Sequence, residues 1–220
     1  LLYHIYMTCP RKDLVNAMRS LYTNGFVTMR DGNVSYKPKQ SNYFLITAGG
    51  IQKNLINEDQ IIPVCFDTTT HPNTLQYNDN ILYKPSREIN MHALLQTHDS
   101  LYDIDSFILH AHPPNIISFM GVTQSRQLHD IKHYFPEINV DKIGRNVPFL
   151  DAGSNELAIA SFKNLYSNDI VGLERHGTLS VGPNIDRLME NIETLEFYTG
   201  IFLRESKSSS LSREKTRINR

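Results

Sequence analysis

The chain of 220 residues carries 22 lysines and arginines against 23 aspartates and glutamates, for a formal net charge of −1. This balance excludes a nucleic-acid binder that relies on a basic surface over the whole chain. No run approaches the ~18 apolar residues that a membrane helix needs, so we expect no membrane partner. Cys9 and Cys65 belong to no spaced motif, which excludes a cysteine-based zinc site and favours a reducing, cytoplasmic location.

Hydrophobic periodicity predicts helices interleaved with short strands. In chain order it predicts a helix at 11–24, strands at 33–36, 43–47 and 61–66, a polar loop at 68–78, a strand at 81–83 and a helix at 86–98 capped by Ser86. A strand at 106–112, a helix from 115, a helix at 154–165, strands at 170–176 and 178–181 and a helix at 185–203 follow. This alternation is typical of a layered α/β or α+β domain.

The last residues differ in composition from the rest of the chain. Residues 206–220 hold five basic residues and one acidic residue, and they begin with the polar run Ser-Lys-Ser-Ser-Ser-Leu-Ser. A segment with so few apolar side chains cannot offset the entropy lost on ordering. We therefore predict a single domain over residues 1–205 and a basic, disordered tail at 206–220, with a nucleic-acid-binding tail as the alternative.

The segment Ser-Phe-Ile-Leu-His-Ala-His at 106–112 is the sharpest local feature. Side chains alternate between the faces of a strand, so His110 and His112 share one face and the other face carries Phe107, Leu109 and Ala111. Two imidazoles on one strand face are able to bind one metal ion. The alternative is a pair of histidines that are solvated, or satisfied by hydrogen bonds, on an edge strand.

Three further residues carry candidate chemistry. Glu88 and His92 are spaced i, i+4, which places them on one face of the predicted helix. A first-turn carboxylate such as Glu88 is also common as a surface acid stabilised by the helix dipole, and His92 alone is more typical of a packing or hydrogen-bonding histidine. His176, beside Gly177, would supply a third nitrogen, and three histidines with an open position are the pattern of a catalytic zinc site.

Two glycine turns flank the strands of the first hairpin. Their sequences are Asp-Gly-Asn-Val-Ser at 31–35 and Thr-Ala-Gly-Gly at 47–50. Backbone N–H groups in such turns form anion-binding nests, and Ser86 at a helix N-terminus would add a donor. The alternative is a pair of ordinary hairpin turns.

In chain order, these motifs resemble those of the class II aldolase/adducin family. The matching motifs are Gly-Asn-Val-Ser at 32–35, Ile-Thr-x-x-Gly at 46–50, Pro-Ser-x-Glu-x-x-x-His at 85–92, His-x-His-Pro at 110–113 and His-Gly at 176–177. The resemblance covers about residues 11–203, and it is closest to the rhamnulose-1-phosphate aldolases, with the fuculose-phosphate aldolases as near neighbours. It implies an α/β fold of three layers (α/β/α) with a mainly antiparallel central sheet covered by helices, and a homotetramer with active sites between subunits.

The resemblance also implies roles for particular residues. Zinc or another divalent metal would be bound by His110, His112 and His176, with Glu88 as the general base. The phosphate pocket would consist of Asn33, Gly49, Gly50 and Ser86. Arg87 stands where many members have a second serine, and it would change the size and charge of that pocket. The family's interface acid has no clean counterpart, and its candidates within 127–138 are Asp130, Tyr134 and Glu137.

The expected activity is that of a zinc-dependent class II aldolase. It would cleave a ketose 1-phosphate of the rhamnulose or fuculose type to dihydroxyacetone phosphate and an aldehyde. Alternatives on the same scaffold are a pentulose-phosphate 4-epimerase, which typically has Asp in place of Glu88, and a sugar-phosphate dehydratase. A non-catalytic adducin-like binding module is the remaining alternative, and it predicts loss of the histidine ligands that this chain retains.

Overall fold

A seven-stranded antiparallel sheet forms the centre of the fold. The computed structural model describes residues 10–67, 74–78, 82–121 and 126–218, with residues 67, 74 and 208–218 as backbone only. The strands are β1 (Asn33–Lys37), β2 (Tyr43–Thr47), β3 (Ile61–Asp67), β4 (Thr74–Gln76), β5 (Ser106–Ala111), β6 (Ile170–Leu173) and β7 (Gly177–Gly182). Their order across the sheet is β4-β3-β2-β1-β5-β7-β6.

Helices cover both faces of this sheet. They are α1 (Pro10–Thr23), α2 (Ile89–Gln96), α3 (Pro114–Met120), α4 (Ile131–Tyr134), α5 (Asn155–Leu165) and α6 (Ile185–Ile218). On one face α1, α3 and α6 pack with Val34 and Leu109 in one buried cluster. On the other face α2 and α5 pack with Ile108 and Val171 in a second cluster. The predicted α/β fold with an antiparallel sheet between helices is confirmed.

The alternation of side chains along β5 connects the core to the histidines. Phe107, Leu109 and Ala111 belong to the cluster beneath α1, α3 and α6, whereas Ile108 belongs to the opposite cluster. Because successive side chains alternate, His110 lies on the face covered by α2 and α5. Packing on both faces therefore determines which way this histidine points.

Two strand predictions are wrong. Residues 74–76 fall in the predicted polar loop, but they form β4 because β3 supplies hydrogen-bonding partners for them. Leu82 and Tyr83 fall in a predicted strand but lie outside the sheet, while Ile81 and residues 68–73 lie outside the described residues. A short strand forms only where a neighbour pairs with it, and local sequence does not reveal that neighbour.

Three further element boundaries also differ from the predictions. Helix α2 begins at Ile89 rather than at Ser86. Ser86 lies in the turn before the helix, where its backbone N–H bonds the Thr47 carbonyl at 3.1 Å and its Oγ accepts the Glu88 N–H at 3.3 Å. Strand β6 ends at Leu173, and Arg175 turns the chain with a φ of 58°. Helix α6 continues past residue 203 to Ile218 and so includes most of the predicted disordered tail, whose Lys, Arg, Glu and Leu residues favour helix.

No helix within the described ranges is long and apolar enough to cross a membrane. Cys65 is a free, exposed thiol on β3, and Cys9 lies outside the described residues.

Helix α3 begins directly after the His-Ala-His-Pro segment and is anchored by Glu196 of α6. The two carboxylate oxygens of Glu196 accept the backbone N–H groups of Asn115 and Ile116, each at 2.9 Å. Glu196 is only 6% exposed, so water does not readily replace these bonds. The contact ties the residues that follow β5 to the longest helix of the fold.

We expect Glu196→Ala to destabilise the protein by roughly 2–4 kcal/mol, because it leaves two N–H groups at a buried helix start without acceptors. Urea or thermal unfolding of the two proteins measures the difference. Glu193→Ala, on an exposed position of the same helix, is the matched control and should change stability little. Equal stabilities for the two variants would contradict an anchoring role for Glu196.

Candidate metal centre

The pairing of β5 with β7 brings the three predicted histidines together. Ala111 pairs with Thr178, so His112, just after β5, lies beside the β6–β7 turn that carries His176. Gly177 permits this close approach, because a Cβ at that position would lie 2.0 Å from the Ala111 carbonyl oxygen. One ring nitrogen from each of His110, His112 and His176 lies within 4.8 Å of the others.

The hydrogen bonds of two histidines direct their lone pairs toward one another. The Nδ1–H of His110 donates to the Thr178 carbonyl at 2.8 Å, and His112 Nδ1 lies 3.4 Å from Asp31 Oδ2. With both Nδ1 atoms engaged, the Nε2 atoms of His110 and His112 face each other at 2.9 Å. Histidine ligands of metals usually have this kind of partner on the second ring nitrogen.

Burial favours the neutral imidazole at His110 and His176. Burial lowers the pKa of His110 to about 3, although nearby Glu88 opposes the shift. Burial also lowers the pKa of His176, and Glu88 again opposes that shift. Burial raises the pKa of Asp31, but its hydrogen bonds with His112 and Thr28 outweigh this and the pKa is lowered. Neutral imidazole is the form that coordinates a metal ion.

These residues fit a divalent cation. The Nε2 lone pairs of His110 and His112, 2.9 Å apart, repel each other unless a proton or a metal ion lies between them, and a bound divalent cation would supply that charge. Glu88 adds a carboxylate, with Oε2 3.2 Å from His110 Nε2 and Oε1 3.5 Å from His176 Nε2. Three imidazoles are donors that suit zinc, copper, iron or nickel better than magnesium or calcium.

Asn33 holds the Glu88 carboxylate beside the histidines. Glu88 immediately precedes α2 and is 8% exposed, and the Asn33 amide donates to its Oε2 at 2.7 Å. Burial raises the pKa of Glu88, but His110 and the Asn33 hydrogen bond outweigh this and lower it to about 2. Its Oε1 is buried and has no hydrogen-bond partner among the described residues.

A cavity of about 460 Å³ opens beside the histidines. Its lining contains all five predicted anion-binding residues, namely Asn33, Gly49, Gly50, Ser86 and Arg87, together with Glu88, His112 and His176. Gly50 has a φ of 68°, a conformation that glycine adopts without strain. The structure thus places the candidate anion site and the histidine cluster around one space.

The cavity lining also includes basic residues that the motifs did not reveal, Arg30, Lys53 and Lys84. The guanidinium of Arg30 donates to the Gly50 carbonyl, and the ammonium of the buried Lys53 lies 3.2 Å from the Ala48 carbonyl. Burial lowers the pKa of Lys53 to about 8. No local pattern marks these residues, because they reach the cavity only through contacts with residues 48–50, which follow β2.

The three candidates for the interface acid lie elsewhere. Among the described residues that line the cavity, none is Asp130, Tyr134 or Glu137. Tyr134 is 53% exposed with its ring 4.5 Å from that of Phe202, and Glu137 is exposed. Within one chain they therefore do not join the cluster, and a role for any of them requires another copy of the chain.

Fold and site together define an α/β protein with a three-histidine candidate metal centre beside a basic cavity. The family model described as "Class II Aldolase and Adducin N-terminal domain" matches residues 12–203. The chain belongs to this family.

Solved structures with the same fold include several enzymes. An L-fuculose 1-phosphate aldolase is 22% identical with a TM-score of 0.70, over 94% of this chain and 90% of that one. The L-fuculose-1-phosphate aldolase from Thermus thermophilus is 19% identical, with a TM-score of 0.68 over 91% and 95%. YgbL from Klebsiella pneumoniae, a putative aldolase/epimerase/decarboxylase, is 19% identical, with a TM-score of 0.68 over 89% and 88%. At these identities the likeness establishes the fold.

We expect one divalent ion per chain, and loss of that ion in the His112→Ala variant, because the substitution removes one of three converging nitrogens. Elemental analysis after dialysis against Zn²⁺, and titration with a chromophoric competitor, measure stoichiometry and affinity. His133→Ala changes an exposed histidine on α4 and should leave zinc binding intact. Full zinc occupancy at unchanged affinity in the His112→Ala variant would refute the site.

Proposed function

We propose that this chain is a zinc-dependent aldolase that cleaves a ketose 1-phosphate of the rhamnulose or fuculose type to dihydroxyacetone phosphate and an aldehyde. The observation that carries the proposal is the position of Glu88. Its carboxylate lies within 3.5 Å of two of the histidines and also lines the cavity with the candidate anion-binding residues. A base, a metal-binding cluster and an anion site around one space are the parts that this reaction needs.

The anion site would hold the phosphate end of the substrate. The Gly50 backbone N–H, the Ser86 hydroxyl and the Arg87 guanidinium are the donors that this part of the cavity offers, whereas the Gly49 N–H already bonds the Lys84 carbonyl at 3.0 Å. Several donors fix a phosphate in one orientation. Arg30 and Lys53 add positive charge to the lining. A substrate bound there would extend its ketose oxygens toward the histidines.

Glu88 is the group that would transfer the proton. In the direction of bond formation, the ionised carboxylate removes a proton from the carbon beside the ketose carbonyl, and in cleavage the same carboxyl returns it. A divalent ion at the histidines would supply Lewis-acid stabilisation of the negative charge that develops on the ketose oxygens. Oε1 is the better placed oxygen for the transfer, because Oε2 already accepts the Asn33 amide.

The rival activities predict different products. A pentulose-phosphate 4-epimerase or a sugar-phosphate dehydratase would use the same cavity without releasing an aldehyde. Glu88 favours aldolase, since the epimerase branch typically has aspartate there. An adducin-like binding module has no need of a buried carboxylate among three converging imidazoles.

In the zinc-loaded protein, we expect rhamnulose 1-phosphate or fuculose 1-phosphate to release dihydroxyacetone phosphate, which is measured by coupled reduction with glycerol-3-phosphate dehydrogenase. Glu88→Gln preserves shape but not basicity, so it should lower turnover by roughly 10²–10⁴-fold at unchanged zinc content. Glu156→Gln, an exposed glutamate at the start of α5, is the matched control. Product analysis by mass spectrometry separates cleavage from epimerisation and dehydration.

Two results would overturn the proposal. One is an epimer or a dehydrated product in place of an aldehyde, which would assign the site to a rival activity. The other is full activity in the Glu88→Gln variant, which would remove the carboxylate from the proton transfer.

We further propose that the chain works as a homotetramer in which Asp130, Tyr134 or Glu137 of one copy completes the site of its neighbour. The placement of all three away from their own cavity supports this arrangement. Sedimentation at micromolar protein should give a mass about four times 25.3 kDa, the closed ring expected of head-to-tail interfaces. A fully active monomer would contradict both parts.

Complementation between inactive variants tests the shared site directly. Asp130→Asn, Tyr134→Phe and Glu137→Gln are made singly, and whichever abolishes turnover is coexpressed with Glu88→Gln. Mixed tetramers then contain some sites with both wild-type groups, so activity should return. Mixed tetramers that remain inactive would place both groups in the same chain's site.

A further inference from the structure

We propose that His92 is a positioning residue that acts through Asn33 to hold the Glu88 carboxylate in one orientation, leaving Oε1 as the oxygen that transfers the proton. This inference rests on the proposed function for its catalytic consequence, while its structural part stands without it. The hydrogen-bond partners of His92 are Ser35 and Asn33, and none of the three candidate metal ligands is among them.

A polar seam runs between α2 and the sheet, from Ser106 through Gln96, Ser35, His92 and Asn33 to Glu88. On α2 and the residue before it, the seam uses positions 88, 92 and 96, which share one helix face. On β1 it uses positions 33 and 35, which share one strand face. All six residues are buried, and His92 and Ser35 have no exposed surface.

Hydrogen bonds link the seam without a gap. Ser106 Oγ donates to Gln96 Oε1 at 2.6 Å, and Gln96 Nε2 donates to Ser35 Oγ at 3.1 Å. Ser35 Oγ lies 2.7 Å from His92 Nδ1, and His92 Nε2 lies 2.5 Å from Asn33 Oδ1. The last bond runs from Asn33 Nδ2 to Glu88 Oε2 at 2.7 Å.

The direction of every bond follows from the carboxylate end. An ionised carboxylate only accepts, so the Asn33 amide must present its N–H₂ to Glu88 and its oxygen to His92. His92 must therefore donate from Nε2. Burial lowers the pKa of His92 to about 4, although the nearby Glu88 carboxylate raises it. The ring is therefore neutral near pH 7, and its Nδ1 accepts from the Ser35 hydroxyl.

The other end of the seam is consistent with the same direction. Gln96 Nε2 also donates to the backbone carbonyl of Ser106 at 3.3 Å, and a carbonyl only accepts, so the Gln96 amide cannot be reversed. Ser35 then receives an N–H from Gln96 and gives its own O–H to His92. Each link of the seam thus has a donor that points toward Glu88, and aligned hydrogen bonds of this kind strengthen one another.

The consequence is an asymmetric carboxylate. Oε2 is held by Asn33, whose own rotation is blocked by His92, whereas Oε1 is buried without a hydrogen-bond partner among the described residues. A proton-transfer group needs one oxygen available and the other fixed, because a rotating carboxylate loses its alignment with the reacting carbon. His92 is thus separated from Glu88 by one residue, Asn33, but determines the orientation of the Glu88 carboxylate.

Nitrogen-15 spectra of the histidine side chains test the seam without any substrate. In the zinc-loaded wild-type protein at pH 7, His92 should carry its hydrogen on Nε2, with the signal assigned by its loss in the His92→Gln variant. Glu88→Gln should shift that signal, because the seam joins the two residues. A His92 ring protonated on Nδ1, or a signal insensitive to Glu88→Gln, would overturn the proposal whatever the enzyme's substrate.

Kinetics of two His92 variants test the catalytic consequence. His92→Phe keeps an aromatic ring but removes both hydrogen bonds, and we expect it to lower kcat on the order of 10–100-fold with little change in KM or zinc content. His92→Gln should recover most of that loss, because its amide is able to donate to Asn33 Oδ1. A His92→Phe variant with wild-type kcat would refute the positioning role while leaving the proposed function standing.

Thr199→Val is the matched control for burial. Thr199 is also fully buried, and its hydroxyl bonds carbonyls of its own helix α6. It should lose stability as the His92 variants do but keep the wild-type kcat. If the wild-type protein cleaves no ketose phosphate, the proposed function fails, and the spectra alone decide whether the seam holds Glu88.

Discussion

The antiparallel pairing of β5 with β7 is the constraint on which the whole site depends. It places the end of β5 against Gly177, so that His112 and His176 meet just beyond the paired residues. A side chain at Gly177 would collide with the Ala111 carbonyl. A slip of one residue in this register would also send His110 into the apolar layer on the opposite face. The core residues that hold the strands in register therefore hold the histidines in place as well.

The concentration of polar groups in this corner is easier to explain by ligand binding than by folding. A buried carboxylate and closely spaced imidazoles are unfavourable unless hydrogen bonds and opposite charges compensate them. Glu88 has Asn33 on one oxygen and a histidine beside the other, while Arg30 and Lys53 face the neighbouring cavity. An apolar core of the same volume would be a simpler way to stabilise the fold.

Common fold and specific chemistry are separate matters in this family. The three solved structures compared above share 19–22% identity with the chain, and one scaffold supports several reactions through a few side chains. Here the positions that would select a reaction are Glu88, where a carboxylate faces the histidines, and Arg87, which would change the size and charge of the proposed anion site. The polar seam beneath Glu88 orients its carboxylate through Asn33 and His92, and the residues that line the cavity do not by themselves show this.

Local sequence determined much of the architecture, because hydrophobic periodicity reports which face of an element is buried. It correctly predicted the faces of β5, the helix that becomes α5 and, through ordered motifs, membership of the family. It also proposed that His110, His112 and His176 belong together, although the last lies more than sixty residues from the others.

Only the tertiary structure decided how these pieces meet. Strand β4 exists because β3 pairs with it, and the turn before α2 is tied to the end of β2 by the bond from the Ser86 N–H to the Thr47 carbonyl. Lys53 reaches the cavity, and His92 joins Asn33, through contacts between segments distant in sequence. Periodicity specifies the face that a residue occupies, whereas its partners depend on strand register and helix placement, which are long-range properties of the packed chain.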